Sequence, residues 1–269
     1  MPQDAYVRVK KFGVFSVART ATVFGATAGV IAFILFIAAG ALGLMHSLSA
    51  VGVGLIILVL LIVGAFVGGA VEAFLYNVIA AIVGPVRIWL RNNSVNKVDP
   101  LSYAKVSLVF SIIIYGLLAI FVSSVLLASI GINASAVSLP ASLIGAVFVF
   151  VLVVYGFILP YVWALLYNWL ASKMGGIGVV IEKDVLERLD VWSYVKMVAA
   201  LSVIVYIMER IIGGAVGLAF RMPVPNQLLA GAAGLVAVVV VSLVANLLVG
   251  WFYNVVAKRF GGIEVKLRK

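Results

Sequence analysis

The sequence predicts an all-α integral membrane protein: six transmembrane helices arranged as three tandem helical hairpins in a pseudo-threefold bundle, with a short cytoplasmic β-strand after each even helix. Three observations lead there. Of 269 residues, 65% are hydrophobic and only 10% charged, and the mean hydropathy is +1.29; soluble domains average about 45–50% apolar and roughly 25% charged. Six apolar runs reach spanning length. A short phrase, Tyr-Asn, ends every second run: Tyr76-Asn77, Tyr167-Asn168 and Tyr253-Asn254.

The runs cover residues 21–43, 51–83, 106–130, 141–172, 197–219 and 228–258, each at or above the roughly 20 residues that cross a bilayer as a helix. The first is too long for the apolar region of a signal peptide. Turn-like segments separate the members of each pair: His46-Ser47-Leu48-Ser49, residues 131–142 and residues 221–227. Open sheet is excluded because unpaired backbone is not tolerated in hydrocarbon, and the runs lack the alternation of a transmembrane barrel. Of the 19 basic residues, 17 precede the first span, follow the last, or lie between the pairs. The positive-inside rule puts that side, with both termini, in the cytoplasm and the protein in the plasma membrane. Asn133-Ala134-Ser135 is a glycosylation sequon on the opposite side.

Three units divide the chain at 6–92, 93–183 and 184–269. Lys11 to Arg19 aligns with Lys97 to Lys105 and with Arg188 to Lys196, at offsets of 86 and 91 residues; the Tyr-Asn phrases recur at 91 and 86. Each unit crosses twice and returns to the same side, so the copies are parallel. A ring about an axis along the membrane normal follows, for which a monomer suffices.

The ends of each unit carry recognisable local chemistry. Asp99, before Pro100, and Asp190 are N-caps of the third and fifth helices. Ser16, Ser102 and Ser193 fall in first turns, where a hydroxyl satisfies a free amide. Gly84, Gly175-Gly176 and Gly261-Gly262 suit helix stops at positive φ, and each opens an alternating segment read as a strand. Tyr6 to Val9 is expected as a further edge. Gly69, Pro160 and Asn246 align in the long even spans and predict a shared bend. Gly25/Gly29, Gly64/Gly68 and Gly213/Gly217 predict close helix approach.

Val98-Asp99-Pro100-Leu101-Ser102-Tyr103-Ala104-Lys105, with Leu166-Tyr167-Asn168 and Gly175-Gly176-Ile177, resembles an actinobacterial two-span transmembrane domain of unknown function, encoded beside the DNA gyrase genes. Units two and three match it best. Unit one has Gly13 in place of the aspartate and Pro85 in place of the second glycine. The resemblance implies three fused copies of a domain that alone would have to trimerise, and it implies no activity.

Few residues suggest chemistry. Asn77, Asn168 and Asn254 have two open roles: a polar ring constricting an axial path, or a bond to free backbone groups at the start of a neighbouring odd helix that sets register. Glu72, Glu209 and Arg210 fall within spans, where a charge is a functional candidate by default. Glu72 aligns with Trp163 and Val249, so no carboxylate ring forms; it is expected inside the bundle, protonated or paired. Ser102-x-x-Lys105 and Ser193-x-x-Lys196 match a penicillin-recognising motif whose companion motifs are missing. One histidine, His46, and no cysteine leave little for a transition metal. No catalytic residue, cofactor or metal is therefore expected. The basic face suits anionic headgroups rather than nucleic acid.

These readings favour a non-enzymatic membrane scaffold or interaction protein that docks a protein partner at its cytoplasmic strands, by strand addition at an exposed edge. The alternative is a pore along the axis, constricted by the asparagines.

Overall fold

The computed structural model describes residues 5–44, 46–130, 149–150, 152–219 and 227–268. The element order is β1 (Ala5–Phe12), α1 (Val14–Ala41), α2 (Ser47–Val83), β2 (Val86–Arg91), β3 (Ser94–Val98), α3 (Pro100–Ile130), α4 (Val154–Met174), β4 (Ile177–Glu182), β5 (Val185–Leu189), α5 (Val191–Ala219), α6 (Gln227–Phe260) and β6 (Ile263–Arg268). Six helices are long and apolar enough to cross a membrane. The chain is a helical multi-pass membrane protein. The Asn133 sequon lies outside the described residues.

The strands correct the all-α expectation. A strand precedes each odd helix as well as following each even one, and the six pair in the order β1-β2-β3-β4-β5-β6 as a closed barrel. Every neighbouring pair is antiparallel, including β1 with β6. Two hairpins, β2–β3 and β4–β5, turn through Asn92-Asn93 and Lys183-Asp184, all four at positive φ between 48° and 65°. That is the mirror-image turn whose twist suits tight hairpins. Closure also removes the free edge on which strand addition depended: none is left among the described strands.

Each of β1, β3 and β5 carries one extra residue. The register skips Lys10 between β1 and β6, Asn96 between β3 and β2, and Glu187 between β5 and β4. Such bulges bend a strand and sharpen its twist, which a sheet of six short strands needs in order to close. Alternation puts Val7, Val9, Ile88, Leu90, Val179, Ile181, Val265 and Leu267 on one face. Val7, Val9 and Val265 are buried, and Leu90, Val179, Ile181 and Leu267 line a cavity of about 600 Å³ at the mouth formed with the hairpin turns. The barrel interior is aliphatic.

Helix α1 lies antiparallel along α2. A Cβ on Gly25 would stand 2.4 Å from the Leu61 carbonyl oxygen, and one on Gly69 would stand 2.8 Å from the Ala21 Cβ. Only glycine permits either approach. Gly64 and Gly68, expected at a contact, face open space instead. A shared bend is not a shared break: α2 and α6 stay α-helical through Gly69 and Asn246, whereas α4 opens with a π-turn, Val154–Ile158, just before Pro160. Proline there has no N–H for the regular ladder, and a wider turn absorbs the mismatch.

Burial in the helices is concentrated beside the barrel. Ser16, Ala18 and Thr20 in α1, Ile79 and Ala80 in α2, Ser102 and Ala104 in α3, Leu170 and Ala171 in α4, Val195 and Met197 in α5, and Tyr253 and Val256 in α6 are all buried. Farther along, Leu35, Leu60 and Val241 are mostly exposed, as faces against lipid tails would be.

Candidate functional site

The recurring residues converge where helices meet strands. Each even helix runs past the start of its odd partner and lies against the strand leading into that partner. Tyr76 donates its hydroxyl proton to the Val9 carbonyl (2.5 Å) and accepts from the Val86 N–H (3.3 Å). Tyr167 does the same with Val95 and Ile177, and Tyr253 with Leu186 (2.6 Å) and Ile263 (3.4 Å). One phenol thus ties together the leading and trailing strands of its own unit, at the residues that pair across them: Val9 with Val86, Val95 with Ile177, Leu186 with Ile263.

The asparagine beside it makes a two-pronged bond. The Phe12 N–H donates to Asn77 Oδ1 (2.8 Å), and Asn77 Nδ2 donates back to the Phe12 carbonyl (2.9 Å). Asn168 holds Val98 in the same way, both bonds 2.8 Å, and Asn254 holds Leu189, both 2.8 Å. These are the last residues of β1, β3 and β5, where the ladder ends and the helix has not begun, so their backbone groups would otherwise go unmet. The amide holds the backbone that leads into the odd helix of its own unit, not of a neighbour.

The serines work between units. Ser102 Oγ donates to the Asp99 carbonyl and accepts from the Arg87 N–H, both at 3.0 Å; Arg87 belongs to unit one. Ser193 accepts from Gly178 N–H (2.8 Å), and Ser16 accepts from Glu264 N–H (2.9 Å). The amide each hydroxyl satisfies is therefore not one in its own helical turn, as expected from sequence, but one on the trailing strand of the unit beside it. A backbone bond runs alongside: Asp99 N–H to the Arg87 carbonyl, Asp190 to Gly178, Gly13 to Glu264, at 2.8–2.9 Å.

This junction explains the departures of unit one. At the first junction Asp99 pairs with Arg87, carboxylate to guanidinium at 2.8 Å. At the second, Asp190 faces Gly178, where a Cβ would stand 2.8 Å from the Asp190 Cβ; its carboxylate caps α5 through the Trp192 N–H (3.2 Å). At the third, Glu264 faces Gly13, where a Cβ would stand 2.6 Å from the Glu264 Oε2. Size and charge complement each other across all three. An aspartate at position 13 would collide with Glu264 and set two carboxylates together.

Gly84, Gly175 and Gly261 have φ of 90°, 79° and 82°, and at the first two ψ is 149° and 156°. That combination is open essentially to glycine alone. The second glycine answers a different need. A Cβ on Gly176 would stand 1.9 Å from the Val95 carbonyl oxygen, and one on Gly262 the same distance from that of Leu186. Pro85 fills the place in unit one, and β2 forms nonetheless.

The charges within spans stand apart from this cluster. Glu72 is exposed on α2, and the packing of Gly69 against Val17, Ala18 and Ala21 puts it level with the start of α1. It lies outside the bundle, not within it, at the depth where the odd helix begins. Glu209 and Arg210 are exposed as well, and the Arg210 guanidinium lies over the Tyr206 ring at 4.9 Å. Among the described residues, no group of three or more His, Asp or Glu side chains is placed to hold a metal.

Sequence reasoning missed β3 and β5, and with them the carbonyls to which Tyr167 and Tyr253 donate and the strand ends that Asn168 and Asn254 hold. The signal was present in Asn92-Asn93 and Lys183-Asp184, two-residue links between alternating segments.

The fold and cluster together define a multi-pass helical membrane protein organised on a small closed barrel. No family model, curated protein or solved structure matches the chain.

Proposed function

We propose that the protein is a non-enzymatic membrane scaffold: three parallel repeats around a pseudo-threefold axis, hung from a cytoplasmic barrel whose outer face and hairpin tips dock a protein partner. The observation that carries this reading is the occupation of the axis. A six-stranded barrel is narrower than the eight-stranded kind whose interior side chains just fill, and this interior is aliphatic. Apart from Asn77, Asn168 and Asn254, no residue type polar enough to hydrate a path recurs deep in all three units of the sequence, and these three direct both amide atoms to backbone. Placing 17 of the 19 basic residues on the barrel side supports a cytoplasmic barrel and cytoplasmic termini. The chain is then a fused form of the two-span domain it resembles, and a single copy would build the same barrel as a trimer.

The test is flux of ions and small solutes across proteoliposomes. The scaffold reading expects no flux above empty liposomes. Selective flux that changes in the folded Leu90→Ser/Ile181→Ser/Leu267→Ser variant would make the barrel a pore and overturn it.

A further inference from the structure

Beside β1 the barrel and α2 enclose two adjoining pockets of about 270 and 230 Å³, which share Arg8 and Pro85. The first is lined also by Lys10, Lys11 and Arg268, the second by Arg87 and Lys105. Each has room for several water volumes of ~30 Å³, and among the described residues Arg87 alone of the six cations meets a carboxylate, that of Asp99. The equivalent groove in unit two shows what the fold itself requires. Asn168, Ala171, Ser172 and Gly176 stand there for Asn77, Ala80, Ala81 and Pro85, but Ser94, Asn96 and Lys97 replace Arg8, Lys10 and Lys11. In unit three the same places hold Val185, Glu187 and Arg188. The bulge residue is thus lysine, asparagine or glutamate, so the backbone irregularity does not call for a base. The charge in unit one has another cause.

We propose that this groove is a binding site for one anionic phospholipid, its phosphate held by Arg8, Lys10, Lys11 and Arg268. The depth is suitable. Helix α2 has 37 residues, about 55 Å at 1.5 Å each, against a hydrocarbon core of about 30 Å. Glu72, exposed and level with the start of α1, marks where the polar layer begins, because a bare carboxylate is costly any deeper. The groove opens five residues farther on. Phe74, Val78 and Ile82, exposed along α2 from that level to the rim of the groove, form an apolar track for the glycerol backbone of the lipid, whose chains enter the hydrocarbon beyond Glu72. Basic pockets beside spans take anionic headgroups in this manner.

The site is distinct from the docking role, and its test reads lipid rather than flux or protein partners. The protein would be purified from phosphatidylcholine vesicles holding a minor share of phosphatidylglycerol, and retained lipid counted by native mass spectrometry. One phosphatidylglycerol per chain is expected. In Arg8→Gln/Lys10→Gln/Lys11→Gln its apparent affinity should fall about a hundredfold, while Lys173→Gln/Lys183→Gln/Arg188→Gln leaves it unchanged. Ser94→Arg/Asn96→Lys should raise the count to two, an arm that does not depend on the first variant folding. Equal losses in both glutamine variants, with no second lipid in the gain variant, would reduce the groove to general surface charge and overturn the proposal. Full displacement by inorganic phosphate would do so too, by assigning the groove to a soluble anion.

Discussion

The two ends of this molecule are held together by different means. At the barrel, every recurring polar side chain of the motif meets backbone: tyrosine between strands of one unit, asparagine at the strand–helix junction, serine between units. Toward the other end of the spans the described helices meet mainly as pairs, and large aliphatic side chains face outward. In hydrocarbon an exposed leucine costs nothing, so little there selects one arrangement over another. Unpaired backbone groups at helix–strand junctions are costly anywhere. Structural specificity therefore resides in the polar ends, and substitutions should rank by their distance from the barrel.

The sharpest break in that comparison is Gly176→Val. With the Val95 carbonyl 1.9 Å from where its Cβ would lie, β3 and β4 cannot pair, and no monodisperse folded protein should be recovered in detergent. Asn168→Leu leaves the Val98 N–H and carbonyl unmet. It should lower stability by about 1–3 kcal/mol, read as a drop in thermal midpoint. Gly13→Asp should cost about 2 kcal/mol through collision and like charge with Glu264. Adding Glu264→Gly recreates the Asp190–Gly178 arrangement, so the double variant should regain most of that loss; a double variant no better than the single would remove the complementarity argument. Ser102→Ala forfeits one acceptor and should cost about 1 kcal/mol. Leu60→Ala, on a face 64% exposed, should stay within about 0.5 kcal/mol. A larger effect there would show that the far end carries specific packing after all.

The spans were legible because a bilayer demands long apolar runs. The glycine stops were legible because positive φ singles out that residue, and Tyr-Asn stood out by repetition. What Tyr-Asn does was not readable, since the backbone that asparagine holds lies 65 to 70 residues away and the carbonyls to which tyrosine donates lie 67 to 72 away, and backbone leaves no mark in sequence. The leading strands β3 and β5 were missed for a related reason. Ser94-Val95-Asn96-Lys97-Val98 breaks alternation at its bulge, so a period of two fades within five residues. Gly13 read as a departure from the motif, whereas its cause lies in Glu264, 251 residues on and paired with it only by closure of the barrel.

That closure is the central claim, because β1 and β6 meet without a covalent turn between them. It can be tested by cross-linking in a chain that has no native cysteine. Arg8 and Arg268 are register partners across β1 and β6, and Arg8→Cys/Arg268→Cys puts two thiols within disulfide reach. In native membranes under mild oxidation, an intramolecular disulfide should form and be reversed by reductant, while Arg8→Cys/Glu264→Cys, out of register, should give none. Failure of the in-register pair to cross-link, or cross-linking only between molecules, would contradict a barrel closed within one chain.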